Sequence, residues 1–445
     1  MPPRASLTYF SLLHAPLWLA LGVGLAACRP HLSLAPDAGE EPRAGMRNTT
    51  PRPEPTPFSP APLRRCFEED QASDPLRSLS VILDRASERH EAADYAAALA
   101  CAEEAVRIDP RSVEAHEDRA QALAELGRKE ESRSAIDRAL ALDPDDPHTL
   151  LAAADLLLNR IGGKDSAGAD DAATALEHAR RGVLRLRRAR ARTDRALRAR
   201  LELLTGQALS DLGRPKEALP HLDSALVDAP EDLTARYERG LALFELCRFN
   251  DAERALREVI AKDPRDAFAH QQLGLTLEQL GDAHGSQREM AEAHRLDPSE
   301  IKEPLDVDKA AFDKMVKEEI AALPPKLRED LGKASLELSD LPAIADLTAD
   351  DPPLPPTILG LFRGAPLDEQ PEVSSARHMS HGPQGHGEQM SELDDRRAIA
   401  LYRLNLLRAT STREELREQI RTTLHHELGH LRGEDDEVLR LRGLE

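Results

Sequence analysis

Residues 425–436 run His-His-Glu-Leu-Gly-His-Leu-Arg-Gly-Glu-Asp-Asp, and this stretch decides how the C-terminal part of the chain is interpreted. On an α-helix, His426 and His430 lie one turn apart on the same face. Two imidazoles at this spacing can hold one Zn²⁺ ion, each at about 2.0–2.1 Å. Glu427 lies beside the first of them, where it can act on a water as general base. The motif predicts a catalytic zinc site; a degenerate or purely structural site is the alternative.

The residues after the motif predict the third ligand. Gly433 stands three residues past His430, where a glycine can end the helix in a left-handed turn. The chain then turns back and presents two acidic residues, Asp435 and Asp436. We choose Asp436, because its spacing is that of the third ligand in metzincins (H-E-x-x-H-x-x-G-x-x-H). Three protein ligands and one water form the open coordination that catalysis needs.

Composition favours a multidomain, mostly helical protein. The chain has 445 residues, of which only 3% are aromatic, and its formal net charge is −21. A chain of this length is expected to form two or three domains, and few aromatics suit helices packed through Ala and Leu. The strong negative charge argues against nucleic acid as a partner.

The N-terminus has the pattern of an export signal. Residues 1–28 carry one early charge, Arg4, and an apolar core, and they end in Leu-Ala-Ala-Cys. This ending resembles a bacterial lipobox, which implies cleavage before Cys28 and lipidation of that residue. A plain secretory signal with a chance cysteine is the alternative. Either interpretation predicts an exported protein, and the lipid anchor would place it in the cell envelope. Residues 29–75 are rich in proline and charge, so we expect a disordered tether.

The remaining cysteines are Cys66, Cys101 and Cys247, and their spacing fits no metal motif. Cys101 and Cys247 lie in helical patterns and are expected to be buried small apolar residues. The sequence leaves open whether Cys66 and Cys101 form a disulfide.

The middle of the chain repeats with a period of 34 residues. Prolines recur at this spacing between Pro110 and Pro144 and again at Pro230, Pro264 and Pro298. Small residues recur in register with them: Ala86, Ala120, Gly206, Gly240 and Gly274, then Ala98, Ser132, Ala218, Ala252 and Ser286, with turn glycines at Gly127, Gly213 and Gly281. A 34-residue period is that of helix–turn–helix repeats. This skeleton resembles the tetratricopeptide repeat over residues 76–300, in about six units.

The resemblance implies a solenoid whose groove binds a protein partner; a spacer or docking scaffold is the alternative. Arginines crowd residues 180–200 of this array. Such a cluster can meet an acidic partner or an anionic membrane, or it can simply be a solvated helix face.

Residues 305–445 alternate between helical and extended patterns. Apolar spacing predicts a helix from Lys309, and alternation predicts strands at residues 334–338, 357–364 and 398–405. Thr412 and Glu415 form a capping box for a helix that runs from Arg413 through the zinc motif. Residues 368–395, with His378, His381 and His386, are expected to be a flexible insertion; a lid or an additional zinc ligand is the alternative.

The order of these elements, with Leu-Gly-Leu-Phe-Arg-Gly at residues 359–364 and His-Glu-Leu-Gly-His followed by Asp435-Asp436, resembles a minimal bacterial metallopeptidase family of zincin-like fold. The resemblance implies His426 and His430 as zinc ligands, Glu427 as base and an acidic third ligand. His425 points about 100° away from His426 around the helix, so it is not expected to be a ligand. Tyr402 is expected to pack in the core.

The fold class predicted is therefore an all-α tetratricopeptide-repeat solenoid followed by a small α+β zincin-like domain. The function predicted is an exported, lipid-anchored zinc metallopeptidase that hydrolyses peptide bonds, with repeats that recruit or position protein partners or the protein substrate. Two alternatives remain: an envelope scaffold whose zincin-like domain binds zinc with little catalysis, and a metal enzyme acting on a non-peptide amide or ester.

Overall fold

The structure is a computed structural model that describes residues 8–10, 66, 78–158, 169–188, 194–367 and 397–444. Most of the predicted signal, tether and His-containing insertion lies outside these residues. The described residues form two compact units, one within residues 23–135 and one within residues 1–22 and 136–445. No helix among them is both long enough and apolar enough to cross a bilayer.

Paired helices make up the repeat array. Their bounds are α1 (Leu79–Glu91), α2 (Tyr95–Ile108), α3 (Val113–Glu125), α4 (Lys129–Leu142), α5 (Pro147–Leu158), α6 (Ala169–Arg188), α7 (Arg195–Asp211), α8 (Pro215–Asp228), α9 (Leu233–Glu245), α10 (Phe249–Lys262), α11 (Ala267–Gln279) and α12 (Ala283–Leu296). Many begin at an aspartate whose carboxylate accepts a hydrogen bond from the first turn, as Asp232 does from the amide of Ala235 at 3.0 Å.

The turns inside the repeats use a left-handed residue at one recurring position. Gly127, Gly213 and Gly281 have φ of 72°, 69° and 82°, which confirms their predicted turn role. The same position in two other repeats holds Ala93 and Cys247, with φ of 57° and 56°. The five described turns therefore share one backbone geometry even where the residue is not glycine.

The unit within residues 23–135 has its own small core. Ile82, Leu83, Ala105 and Ala115 are buried in it, together with Cys101. Cys101 forms a disulfide with Cys66, which closes the pairing that the sequence left open.

In the second unit, the arginine-rich stretch pairs with carboxylates of the array itself. Arg187 lies 3.0 Å from buried Glu202, and Arg198 forms a short ion pair with Asp228. Arg200 lies 2.8 Å from Asp155. These described arginines form ion pairs within the array, and an interaction of the cluster with an acidic partner or an anionic membrane stays a prediction.

The C-terminal elements are α13 (Lys309–Ala322), α14 (Pro325–Leu331), β2 (Ser335–Ser339), α15 (Ile344–Leu347), β3 (Gly360–Arg363), β4 (Ala398–Tyr402), α16 (Arg403–Arg408), α17 (Arg413–Leu431) and α18 (Asp436–Leu441). Among the described residues the sheet has the order β1-β3-β4-β2, where β1 is Thr8–Phe10. β2 runs parallel to β4, and β3 runs antiparallel to both β4 and β1.

One predicted strand is wrong at its end. Residues 403–405 continue as helix α16 rather than as strand, because Asn405 turns inward and donates hydrogen bonds to the carbonyls of Pro356 and Ile358 at 3.0 and 2.7 Å. The strand predicted from residue 357 begins only at Gly360.

Helices cover the sheet on both faces. Ile399 and Leu401 of β4 pack toward α17 and the helices before the sheet. Alternate residues of a strand point to opposite faces. Ala400 and Tyr402 accordingly pack into a different core that contains Phe244, Leu275 and other array residues. The C-terminal sheet thus lies between two helical layers, one that contains α17 and one formed by the array helices α9–α11.

Candidate metal centre

Helix α17 carries the H-E-x-x-H motif, and both of its ends are defined. The predicted capping box is confirmed: the Thr412 hydroxyl accepts a hydrogen bond from the Glu415 amide at 3.1 Å, and the Glu415 side chain accepts one from the Thr412 amide. After Leu431 the helix ends, and Gly433 adopts the expected left-handed conformation with φ of 87°. This turn directs the following residues back toward the motif.

The turn brings a carboxylate to the two histidines. The Nε2 atoms of His426 and His430 lie 2.9 Å apart. Oδ1 of Asp436 lies 3.4 Å from Nε2 of His426 and 3.2 Å from Nε2 of His430. Both rings are buried, whereas the Asp436 side chain is 61% exposed, so the group opens to solvent on the Asp436 side.

Asp435 and Asp436 have different roles at the start of α18. The Asp435 carboxylate accepts a hydrogen bond from the Val438 amide at 2.9 Å and so caps the helix. The Asp436 carboxylate faces the imidazoles. Its partial burial alone would raise the pKa of Asp436, but the hydrogen bonds with His426 and His430 lower it far below its ordinary value.

The zincin-like metallopeptidase family matches residues 331–444, and the tetratricopeptide repeat family matches residues 83–147 and 203–267. The chain combines tetratricopeptide repeats with a zincin-like metallopeptidase domain. No curated protein matches it.

Similar solved structures are tetratricopeptide-repeat and pilus-related proteins. YrrB, described as a TPR protein with an unusual peptide-binding site, is 19% identical, with 44% of this chain and 93% of that chain covered and a TM-score of 0.34. PilF of Pseudomonas aeruginosa is 14% identical, with 50% and 92% covered and a TM-score of 0.42. PilW, a type IV pilus biogenesis factor, is 17% identical, with 50% and 94% covered and a TM-score of 0.42.

The donor set of the zincin-like domain fits a zinc ion. Tetrahedral zinc ligands lie about 3.3 Å apart, since each is about 2.0–2.1 Å from the ion, and the three observed separations are close to that value. The opposite ring nitrogens face backbone carbonyls, Nδ1 of His426 at 2.6 Å from Leu444 and Nδ1 of His430 at 3.0 Å from Glu434. A carbonyl can only accept, so Nδ1 of each ring donates there, and each Nε2 would offer its lone pair to a bound cation in place of its hydrogen bond with Asp436.

The Glu427 side chain lies between helix α17, to which it belongs, and strand β3. It is fully buried, beside the first residue of β3. A Cβ placed on Gly360 would be 2.8 Å from Oε1 of Glu427 and 2.7 Å from a methyl group of Thr423. The space that Glu427 occupies therefore depends on residue 360 having no side chain.

The other candidate residues stay apart from the donor set. His425 is half-buried. Its burial is the main cause that lowers its pKa, and the positive charges of Arg442 and Arg421 lower the pKa further. Tyr402 is buried in the core shared with the array, and burial raises its pKa. The three insertion histidines lie outside the described residues.

Sequence reasoning missed several groups around the motif. These are α18, the carbonyls of Leu444 and Glu434, and Gly360. The sequence signal for α18 was the pair of glycines that flank it, Gly433 and Gly443. Both adopt a positive φ in the turns before and after this helix. A backbone carbonyl has no residue signature, so the two hydrogen bonds to Nδ1 required the structure.

Proposed function

We propose that the chain is a zinc-dependent metallopeptidase that hydrolyses peptide bonds. The observation that carries this proposal is the convergence of His426, His430 and Asp436, whose donor atoms all lie within 4.8 Å of one another. The match of residues 331–444 to zincin-like metallopeptidases supports it.

His426, His430 and Asp436 would hold the ion. When bound there, zinc would polarise the scissile carbonyl and lower the pKa of a water to about 7. Glu427 would accept a proton from that water and pass it to the leaving amine.

The outer edge of β3 is the proposed position of the substrate peptide. In the structure this edge pairs with a short strand, β1, in antiparallel register: Tyr9 faces Leu361, and Phe10 faces Gly360. An extended peptide added to the same edge would use the same backbone groups. Gly360 borders Glu427, so such a peptide would pass beside the proposed base.

The repeats would recruit or position a protein partner or the protein substrate. We further propose that the chain is exported to the cell envelope and anchored through a lipid on Cys28. The Cys66–Cys101 disulfide supports an oxidising compartment. Membrane fractionation tests the anchor: Cys28→Ser should move the protein to the soluble fraction, and unchanged membrane association would contradict lipidation at this residue.

The second candidate is an envelope scaffold that binds zinc but turns over little. The full burial of Glu427 is the observation that favours it, because substrate and water must reach this carboxylate for catalysis. The two candidates differ in turnover and agree on zinc binding.

Proteolysis by the full-length chain separates them. We expect the wild-type protein to hold stoichiometric zinc and to cleave an unfolded protein such as casein. Glu427→Gln should retain the zinc and lose at least about 100-fold in rate. Glu418→Gln, an exposed change on the same helix, is the matched control and should cleave normally. Equal, negligible cleavage by all three proteins with zinc bound selects the scaffold, and absence of zinc from the wild type contradicts both.

A further inference from the structure

The two histidines of the motif are oriented by carbonyls at very different distances along the chain. His430 contacts the carbonyl of Glu434, four residues away, in the turn that ends α17. His426 contacts the carbonyl of Leu444, 18 residues away, at 2.6 Å. The first contact follows from the local turn, whereas the second requires α18 and the turn after it to be in place.

We propose that the Leu444 carbonyl is a positioning group for His426, and that Gly443 is the residue that aims it. This inference rests on the proposed zinc site. By accepting the Nδ1 proton, the carbonyl fixes the ring orientation and leaves the lone pair on Nε2, directed at His430 and Asp436.

The turn at Gly443 holds this carbonyl. Gly443 has φ of 70°, its amide donates to the Arg440 carbonyl at 2.9 Å, and the Leu444 amide donates to the Leu439 carbonyl at 3.1 Å. Residues other than glycine, asparagine and aspartate rarely adopt this conformation. The direction of the Leu444 carbonyl therefore depends on residue 443 tolerating a positive φ.

Packing fixes α18 on the zinc helix. Leu439 is fully buried, and its side chain lies so close to Gly429 that a Cβ there would be 2.3 Å from Leu439 Cδ2. Gly429 is one residue before His430 and three after His426. The segment 433–444 consequently supplies the carboxylate of Asp436 and both orienting carbonyls from one docked piece of chain.

Gly443→Val in the full-length protein tests the proposal. A Cβ at residue 443 would meet nothing within 4 Å, so the positive φ is the constraint that the substitution violates first. Gly281→Val in the array is the matched control, because Gly281 has φ of 82° and equally open surroundings. Gly443→Asn, which tolerates a left-handed conformation, is the rescue variant.

Two measurements are made on each protein: zinc affinity by chelator competition, and the tautomers of His426 and His430 by ¹⁵N NMR of the zinc-free protein above about pH 8, where imidazole is neutral. We expect Gly443→Val to lose about 10- to 100-fold in zinc affinity and the Nδ1–H preference of His426 alone. Gly281→Val and Gly443→Asn should resemble the wild type.

These measurements distinguish failure of the positioning role from failure of the proposed zinc site. Unchanged affinity and an unchanged His426 tautomer in Gly443→Val would overturn the positioning role, as would an equal loss in Gly281→Val. If Gly443→Val does not fold, the wild-type tautomer and Gly443→Asn decide: a wild-type His426 protonated on Nε2 rejects the inference. If the wild type binds no zinc, the proposed function fails, and the tautomer measurement still tests the carbonyl contact.

Discussion

At the scale of single residues, Gly360 and Glu427 depend on each other. Glu427 is a buried carboxylate next to β3, and the methyl group of Thr423 closes the same space. Interiors are packed closely enough that one added carbon forces neighbours to move. Glu427 can therefore keep its position only while residue 360 remains glycine.

Gly360→Ala should impair catalysis more than folding. The added Cβ would lie 2.7 Å from the Thr423 methyl and 2.8 Å from Oε1 of Glu427, so the carboxylate must shift. Overpacking of this kind costs about 1–3 kcal/mol of stability. We expect peptidase activity to fall by at least tenfold with zinc content unchanged. The control is Gly332→Ala, whose Cβ would be 3.3 Å from the nearest atom, a backbone carbonyl. Full activity in Gly360→Ala would show that Glu427 has room to move.

At the scale of elements, the repeat turns keep one backbone shape with different residues. Ala93 stands where Gly127, Gly213 and Gly281 stand in other repeats, and it has φ of 57°. A left-handed conformation costs an ordinary L-residue about 1–2 kcal/mol. The turn between α1 and α2 therefore carries strain that the three glycine turns avoid.

Ala93→Gly should stabilise the unit within residues 23–135. Relief of the left-handed strain, less the added freedom of glycine in the unfolded chain, should raise its free energy of unfolding by up to about 1 kcal/mol. Ala92→Gly is the matched control, because Ala92 has φ of −77° and gains only flexibility. Denaturant unfolding measures both, and the expected shifts in midpoint are opposite in sign. A decrease for both variants would refute the strain at Ala93.

Elements with local determinants could be predicted from the sequence. The capping box at Thr412, the motif helix and the turn at Gly433 follow from neighbouring residues, and the structure confirms each. The 34-residue register likewise predicted the repeat turns. The end of β4 could not be predicted, because Asn405 finds its carbonyl partners about 50 residues earlier in the chain.

The sequence predicted which side chains form the candidate site, but not the backbone groups that orient them. His426, Glu427 and His430 were placed by helical spacing, and Asp436 was chosen over Asp435 by its spacing from His430. The structure separates them by a single hydrogen bond, from the Val438 amide to Asp435. The orienting carbonyl of Leu444 depends on how α18 docks, which no local pattern encodes.

At the scale of the whole molecule, the zincin-like domain shares its core with the array. Leu354, Leu361 and Tyr402 pack with Phe244 and Leu275. A part-buried ion pair between Arg408 and Glu278 at 2.5 Å joins the same surfaces. The sheet face opposite α17 is therefore covered by the repeats, and the two domains should unfold together there.

Leu275→Ala in α11 should loosen the sheet from a distance. Leu275 is 4% exposed, and loss of such a buried leucine costs about 2–5 kcal/mol. We expect faster hydrogen exchange at the amides of Ile399 and Leu401 in β4. Leu176→Ala in α6 removes the same side chain from the core around α5–α8 and should leave β4 protected. If β4 exchange is equal in the two variants, the sheet is stable without its array layer.

The covered sheet also limits how the repeats can be used. Phe244, Phe249 and Leu275 pack against the sheet of the zincin-like domain, so a polypeptide could bind this stretch only by displacing the sheet. A protein partner of the repeats would therefore have to bind other helices. A ligand that competed for α9–α11 would remove the helical layer that supports the sheet, and it would thereby inhibit the proposed peptidase.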